Sequence, residues 1–245
     1  ELYEQQVGGT VGQLVAVGDF DPDAVVKGLE PALAGWKAAT PYTRIERPAV
    51  PPKPGLEKIE TPDKENAVYL SAVPLPLGDT DPNYAPLVVG NYILGAAPLA
   101  SRLSVRVRGN EGLSYGIMSM LQASPRDKNG TFMIFAITNP KNIDKVDAAV
   151  GEEVKKFLAD GVSASELDEA KKAYLAARKV DRGNDRTLAS QLASALYAGR
   201  TFAYYAELEK RIEGLQPADV KAAFDAAIRA KELATVEAGD FAGKK

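Results

Sequence analysis

The sequence contains no histidine and no cysteine in 245 residues. A catalytic zinc in the common ligand sets needs at least one imidazole or thiolate ligand, so this chain cannot hold such a zinc by itself. The same absences exclude a Ser-His-Asp or Cys-His catalytic unit, general base catalysis by histidine, and disulfides. Only carboxylates remain as metal ligands, and no Asp/Glu cluster has the spacing of a calcium loop.

Three further features are missing from the sequence, and each absence excludes a class of function. No apolar run approaches the length of about 18 residues that predicts a membrane span, and no signal-peptide pattern follows Glu1. The net charge of −3 argues against a nucleic-acid-binding surface, which needs clustered Lys and Arg. Gly109, Gly112 and Gly116 follow a predicted helix and precede a predicted strand. A phosphate-binding loop needs the reverse order, so no nucleotide site is predicted.

One short sequence pattern occurs twice, once near each end of the chain. Residues 14–20 form an apolar run closed by Gly-Asp-Phe, and residues 235–241 repeat this pattern. One interpretation is two unrelated strand-turn units. The other is that both segments are the closing strand of a repeated module. The second interpretation predicts that residues 1–37 are the strand-helix tail of a preceding homologous module and that residues 57–245 form most of the next one.

The predicted tail and linker are marked by proline. Asp21-Pro22 is typical of a helix start, and Pro31 predicts a break or kink in the helix that follows. Residues 38–56 form a proline-rich linker, because proline at this density favours an extended spacer over a helix or a central strand. Its prolines are Pro41, Pro48, Pro51, Pro52 and Pro54.

The remaining chain alternates predicted strands and helices. Strands are predicted at residues 67–73, 113–123, 131–137 and 233–238, and helices at 82–94 and 102–108, from Ile143 onward, after a Ser163–Glu166 capping box, and beyond residue 185. This order, with helices concentrated in the second half, predicts an α+β fold with a mostly antiparallel sheet backed by helices.

A set of motifs in this region resembles a known family. The motifs are Asn91-Tyr92-Ile93-Leu94-Gly95, Ser101-Arg102-Leu103, and Arg108 followed by Gly112-Leu113-Ser114-Tyr115-Gly116. In this order they resemble the C-terminal, non-metal-binding domain of insulinase/pitrilysin-type zinc metallopeptidases, whose pattern is approximately N-x-I-L-G-G, S-R-L and R-E-x-x-G-L-S/A-Y. One departure is Gly109, where the family commonly has Glu.

The resemblance implies a LuxS/MPP-like metallopeptidase-domain fold. It also implies that zinc binding and substrate binding belong to different domains or subunits. The zinc motif H-x-x-E-H would lie on a homologous partner domain or subunit, so no cofactor is expected on this chain. Arg108 and Tyr115 would hold a peptide substrate over that zinc and stabilise the oxyanion. Partners would then be a peptide and the zinc-binding homologue, with no nucleic acid and no membrane. The family also suggests a periplasmic or otherwise exported location.

Other interpretations of these residues remain open. Arg108 fits a surface arginine at a helix C-terminus, and Tyr115 fits a strand residue with its ring in the core. Arg102 and Arg106, on the same predicted helix, are assigned surface or salt-bridge roles. At the level of the protein, the alternative to a substrate-binding half is a catalytically inactive scaffold or assembly relative of the same family. A third interpretation is an unrelated α+β interaction module.

Overall fold

Two interior strands of the sheet, over residues 67–75 and 130–138, alternate buried and more exposed residues. The computed structural model describes residues 1–50, 52–229 and 233–243, so Pro51 of the predicted linker lies outside the described residues. Five strands form one sheet: β1 Gly55–Glu60, β2 Ala67–Leu75, β3 Ser114–Ala123, β4 Gly130–Thr138 and β5 Ala234–Gly239. Their order across the sheet is β1-β5-β2-β4-β3. β3 is therefore an edge strand.

The pairing of the strands is mostly antiparallel, which confirms the predicted α+β class. β2 pairs antiparallel with β4 and β5, and β3 pairs antiparallel with β4, whereas β1 runs parallel to β5. The β1–β5 pair is reinforced by Lys58, whose Nζ lies 3.0 Å from Oε2 of the fully buried Glu237. This ion pair links the two strands at a position where Lys58 itself remains 42% exposed.

Most of the helices begin close to the predicted positions, but the short helix α1 was not predicted. They are α1 Leu2–Gln6, α2 Pro22–Leu33, α3 Tyr84–Asn91, α4 Ile143–Asp160, α5 Ala164–Asp181, α6 Asp185–Tyr197, α7 Ala203–Gly214 and α8 Pro217–Phe224. π-helical segments cover Tyr92–Ala96, Ser104–Asn110 and Asp225–Arg229. The predicted capping box forms at the start of α5: the Ser163 N–H donates to the Glu166 carboxylate at 2.9 Å, and the Glu166 N–H donates to the Ser163 hydroxyl at 3.2 Å.

The core lies between one face of the sheet and the helices. On β4 the buried residues alternate with half-exposed ones, so Phe132 and Ile134 point towards the helices. Phe132 packs edge-on against Phe224 of α8, which also contacts Phe157 of α4 with the two ring centroids 4.7 Å apart. The opposite, outer face of β2, β3 and β4 stays at least partly exposed.

Two features of the N-terminal part differ from the prediction. Residues 14–20 were predicted as a strand, but they are irregular and mostly exposed, because no strand among the described residues pairs with them. The equivalent residues 235–239 do form β5, since β1 and β2 flank them. Helix α2 begins with Asp21 as its side-chain cap, as predicted, but continues through Pro31 and ends at Leu33 without a break.

The linker prediction is correct only in part. Residues 38–50 and 52–54 contain neither helix nor strand, but the last residues of the predicted linker enter β1, which the sequence analysis missed. The chain divides into two compact units. One comprises Glu1–Glu46 and Ala176–Glu207, and the other comprises Arg47–Leu175 and the residues from Leu208 onward. The proposed module boundary at residues 38–56 stays a prediction.

Candidate functional site

The site begins with a β-bulge at the start of edge strand β3. Ser114 pairs with Thr138 and Gly116 pairs with Ile137, so Tyr115 is an extra residue with no partner on β4. A bulge locally bends the strand and redirects a side chain. The Tyr115 side chain is 89% exposed, so its ring lies outside the core and its hydroxyl is free to act as a donor.

The hydroxyl of Ser114 stabilises this bulge from inside. Its Oγ lies 2.6 Å from the Ile137 carbonyl oxygen and 2.8 Å from that of Gly116, and it accepts a hydrogen bond from the Gly116 N–H at 3.1 Å. The single hydroxyl proton can be donated to only one of these carbonyls at a time. Ser114 is buried and thereby compensates backbone groups that the extra residue displaces from the ladder.

Three arginines lie on the chain just before this strand, and two of them are neutralised. Arg102 makes a bidentate pair with Glu166, at 2.9 Å for both nitrogens, and also donates to the Gly161 carbonyl at 3.0 Å. Its hydrogen bonds hold the pKa of Glu166 at about 2, well below the ordinary value. Arg106 pairs with Glu111 at 2.9 Å and with Glu152. The salt-bridge roles predicted for both arginines are confirmed.

Arg108 differs from its two neighbours. Within the part of the chain that the structure describes, it forms no hydrogen bond or ion pair, and its side chain is exposed. Its guanidinium carbon lies 5.4 Å from the centroid of the Tyr115 ring, a cation–π contact. The contact leaves the guanidinium N–H groups free to bind carbonyl or carboxylate oxygens. The two residues therefore present donors side by side at one edge of the sheet.

A shallow groove of about 620 Å³ adjoins Tyr115 on the outer face of the sheet. Its apolar surface comes from Met118, Phe135 and Ile137, and its polar end includes Asn66 and Asn142. Met118 pairs directly with Phe135, and Ile137 pairs with Gly116, which has no side chain to cover it. The groove thus reaches Tyr115, whereas Arg108 does not line it.

The structure holds no candidate metal site in its described residues. No group of three or more Asp and Glu side chains there is placed to bind a metal ion, and the sequence offers no His or Cys. No helix within residues 1–50, 52–229 and 233–243 combines the length and apolar composition that a membrane crossing needs.

The structure thus brings the predicted pair together, whereas the sequence analysis did not predict the role of Ser114. The structure places Arg108 beside Tyr115, and their role in peptide binding stays a prediction. Ser114 was not predicted to position Tyr115. In the structure Leu113 and Ser114 are both buried and Tyr115 and Gly116 are both exposed, a two-residue step in the in-out alternation that is typical of a bulge.

Comparisons with known proteins agree on the fold. The sequence profile of the family described as "Peptidase M16 inactive domain" matches residues 13–174. The crystal structure of a peptidase M16 inactive domain from Pseudomonas fluorescens is 26% identical, with a TM-score of 0.76 over 92% of this chain and 52% of that chain. A protease from Helicobacter pylori, 16% identical with a TM-score of 0.74, shares the fold over 91% of this chain and 53% of that one.

A curated relative adds information on activity. "Non-peptidase homolog YmxG" of Helicobacter pylori is 29% identical over 138 residues, which is 56% of this chain and 30% of that protein. The chain therefore spans about half the length of the solved structures named above and less than a third of YmxG. Because the family profile covers most of the chain, including the motifs around Arg108 and Tyr115, this chain belongs to the family of peptidase M16 inactive domains.

Proposed function

We propose that this chain is the peptide-gripping half of a zinc-dependent endopeptidase whose zinc lies on a homologous domain or subunit. The observation that carries the proposal is the free guanidinium of Arg108, 5.4 Å from the ring of the exposed Tyr115, at an unpaired sheet edge. Arg102 and Arg106 show that carboxylates neutralise the other arginines of this region, so the free charge of Arg108 is specific to this position.

The side chains of Arg108 and Tyr115 suit different stages of peptide hydrolysis. A guanidinium offers forked donors that hold peptide carbonyl groups in the ground state. A phenol hydroxyl can donate to the oxyanion that forms when water attacks the scissile carbonyl. An extended peptide can add to an unpaired strand edge through backbone hydrogen bonds, and β3 presents such an edge beside both residues. The partner zinc would supply the attacking water.

A second candidate is a catalytically inactive scaffold or assembly subunit of the same family. For the chain taken alone, the comparisons favour this candidate, because the family is described as inactive and the curated relative is named a non-peptidase homologue. Gly109, where the family commonly has Glu, points the same way. The geometry of Arg108 and Tyr115 favours the first candidate, since a scaffold does not require two exposed, adjacent donors. An exported location stays a prediction from the family resemblance.

Kinetics of the complete protein with its zinc-binding half test the first candidate. Tyr115→Phe should lower kcat by about a hundredfold to a thousandfold with little change in KM, because its donor acts on the transition state. Arg108→Ala should instead raise KM, because its contact with the peptide is made before reaction. Both variants should keep the melting temperature of the wild type, since both side chains are exposed.

Matched controls separate these effects from general damage. Tyr42→Phe and Arg186→Ala change an exposed tyrosine and an exposed arginine elsewhere in the chain and should leave both constants unchanged. If the Arg108→Ala, Tyr115→Phe double variant cleaves peptides at the wild-type rate while assembly with the partner is intact, the gripping role is wrong and the scaffold candidate replaces it.

A further inference from the structure

The groove beside Tyr115 owes its shape to Gly116, which has no side chain to fill it. A Cβ placed at Gly116 meets no atom within 4 Å, so the strand has open space at this point. Ile137, directly opposite on β4, is left 45% exposed, between Tyr115 on one side and Met118 on the other. The result is an apolar notch next to the unpaired edge of β3. A notch of this kind can receive one large apolar side chain.

Only part of the outer edge of β3 is open for a peptide to pair with. Among the described residues, no strand pairs with the outer side of β3. Near its far end Gly78 makes a single bridge to Ser124, and the Asp79 N–H donates to the Ser124 carbonyl at 3.1 Å. The open stretch therefore lies at the Tyr115 end. A peptide that adds there places successive side chains on opposite faces of the sheet.

The two faces at this end have different chemistry. On the outer face is the notch over Ile137. On the helix side is the π-helical segment Ser104–Asn110, which packs against β3 and carries Arg108. Arg108 has no carboxylate partner among the described residues, whereas Arg102 and Arg106 have one or more each. The unneutralised charge favours an anionic group on that side of the peptide.

We infer that the groove and Arg108 together select an extended peptide in which a large apolar residue lies next to an acidic one. The apolar side chain enters the notch beside Gly116, and the neighbouring carboxylate, on the opposite face of the added strand, pairs with Arg108. This inference rests on the proposed peptide-gripping function and adds its substrate class. Met118, Phe135 and Ile137 are then specificity-determining residues, and Gly116 is required to be small.

Methionine NMR of the 245-residue chain tests this directly. The chain has three methionines, all on the outer face of β3 and β4, and only Met118 lines the groove. Four short capped peptides with the cores Glu-Leu-Glu, Gln-Leu-Gln, Glu-Asn-Glu and Gln-Asn-Gln are titrated into ¹³C-methyl-methionine protein. Glu-Leu-Glu should bind most tightly and shift the Met118 signal more than the Met133 signal. Replacing Leu by Asn should weaken binding about tenfold.

Variants assign each preference to its own residue. A Cβ at Gly116 has open space, so Gly116→Leu places its side chain in the notch and should abolish the Leu-over-Asn preference, whereas Ile59→Glu should keep it. Ile59 is a fitting control because it is 43% exposed, lies in the same cross-strand row as Ile137, and does not line the groove. Arg108→Ala should abolish the Glu-over-Gln preference, and Arg186→Ala should keep it.

The possible results separate this inference from the proposed function. If peptides bind at Met118 but all four bind equally, peptide gripping stands and the selectivity is wrong. If Ile59→Glu abolishes the Leu-over-Asn preference as effectively as Gly116→Leu, a partner that covers the whole sheet face replaces the extended peptide as the occupant. If no peptide shifts any methionine signal, both the inference and the peptide-gripping function lose their support.

Discussion

At the scale of single residues, the three arginines before β3 show how context decides the role of one side-chain type. Arg102 is held by Glu166 and a backbone carbonyl, and Arg106 by Glu111 and Glu152. These pairs hold the segment that carries Arg108 in place and leave the charge of Arg108 itself unneutralised. Removing one of the supporting carboxylates should therefore affect stability and leave the exposed pair chemically intact.

Glu166 gives a pH-dependent prediction. Its pKa is about 2 in the folded chain against 4.5 for the unperturbed group, chiefly through its hydrogen bond with Arg102. A lowered folded pKa adds stability that is fully present above pH 4.5 and is lost as the pH falls towards 2. Glu166→Gln, which can keep the capping box, should cost about 1–2 kcal/mol at pH 7 after allowance for solvent screening.

Urea unfolding of both proteins across this pH range is the measurement. The difference between wild type and Glu166→Gln should shrink below pH 4.5 and nearly vanish near pH 2. Asp168→Asn is the control, because Asp168 pairs with Lys172 on the exposed surface of α5 and should leave the urea midpoint nearly unchanged. A constant difference from pH 7 down to pH 2 would show that the ion pair with Arg102 is not its source.

At the scale of elements, two glycines in helical segments should respond oppositely to the same substitution. A Cβ at Gly95 would lie 2.4 Å from the Ser119 Oγ and 2.7 Å from the Ser119 backbone N, whereas a Cβ at Gly151 of α4 meets nothing within 4 Å. Gly95→Ala should destabilise the protein by about 1–3 kcal/mol through overpacking. Gly151→Ala should stabilise it by about 0.5–1 kcal/mol, because alanine favours the helix.

Thermal or urea unfolding of the two variants checks this pair. Equal effects of the same sign would mean that helix propensity, and not the close contact between Gly95 and β3, governs both sites. The contact has a structural meaning, since it sets how closely the π-helical segment Tyr92–Ala96 approaches the strand that carries Tyr115.

Local signals predicted most elements of the fold. Helix α4, the capping box of α5 and the β3–β4 hairpin follow from periodicity and from short-range residue types, which depend little on the rest of the chain. β1 could not be predicted in this way, because all six of its residues are exposed and it exists only by pairing with β5. The irregular residues 14–20 are the converse case, an apolar run without a neighbouring strand.

The candidate site was predictable to a similar degree. The resemblance to the family motif identified Arg108 and Tyr115 from the sequence. The bulge that exposes Tyr115 depends on the register of β3 against β4, and the groove depends on Ile137 facing Gly116 across that register. Such features are set by pairing between strands, so the sequence of one strand does not contain them.

At the scale of the whole molecule, the missing ligand types lead to a prediction about zinc. The chain has no imidazole or thiolate, and structural or catalytic zinc sites rely on these groups. After dialysis against zinc and then buffer, the isolated chain should retain no stoichiometric zinc by elemental analysis, and it should not cleave peptides. One tightly held zinc per chain, or turnover by rigorously purified chain, would contradict the proposed division of labour.

The position of β5 has a consequence for how the domain is made. β5 is the last strand along the chain, yet it lies between β1 and β2, and the Phe241 N–H after it donates to Glu60 across 181 residues. A ribosome that has released residues 55–138 has supplied four strands, but the space between the first two stays empty until residue 239 emerges. Two facing strand edges are then unpaired while residues 139–239 are synthesised, so the nascent chain passes through an interval in which β-pairing with other chains competes with its own completion.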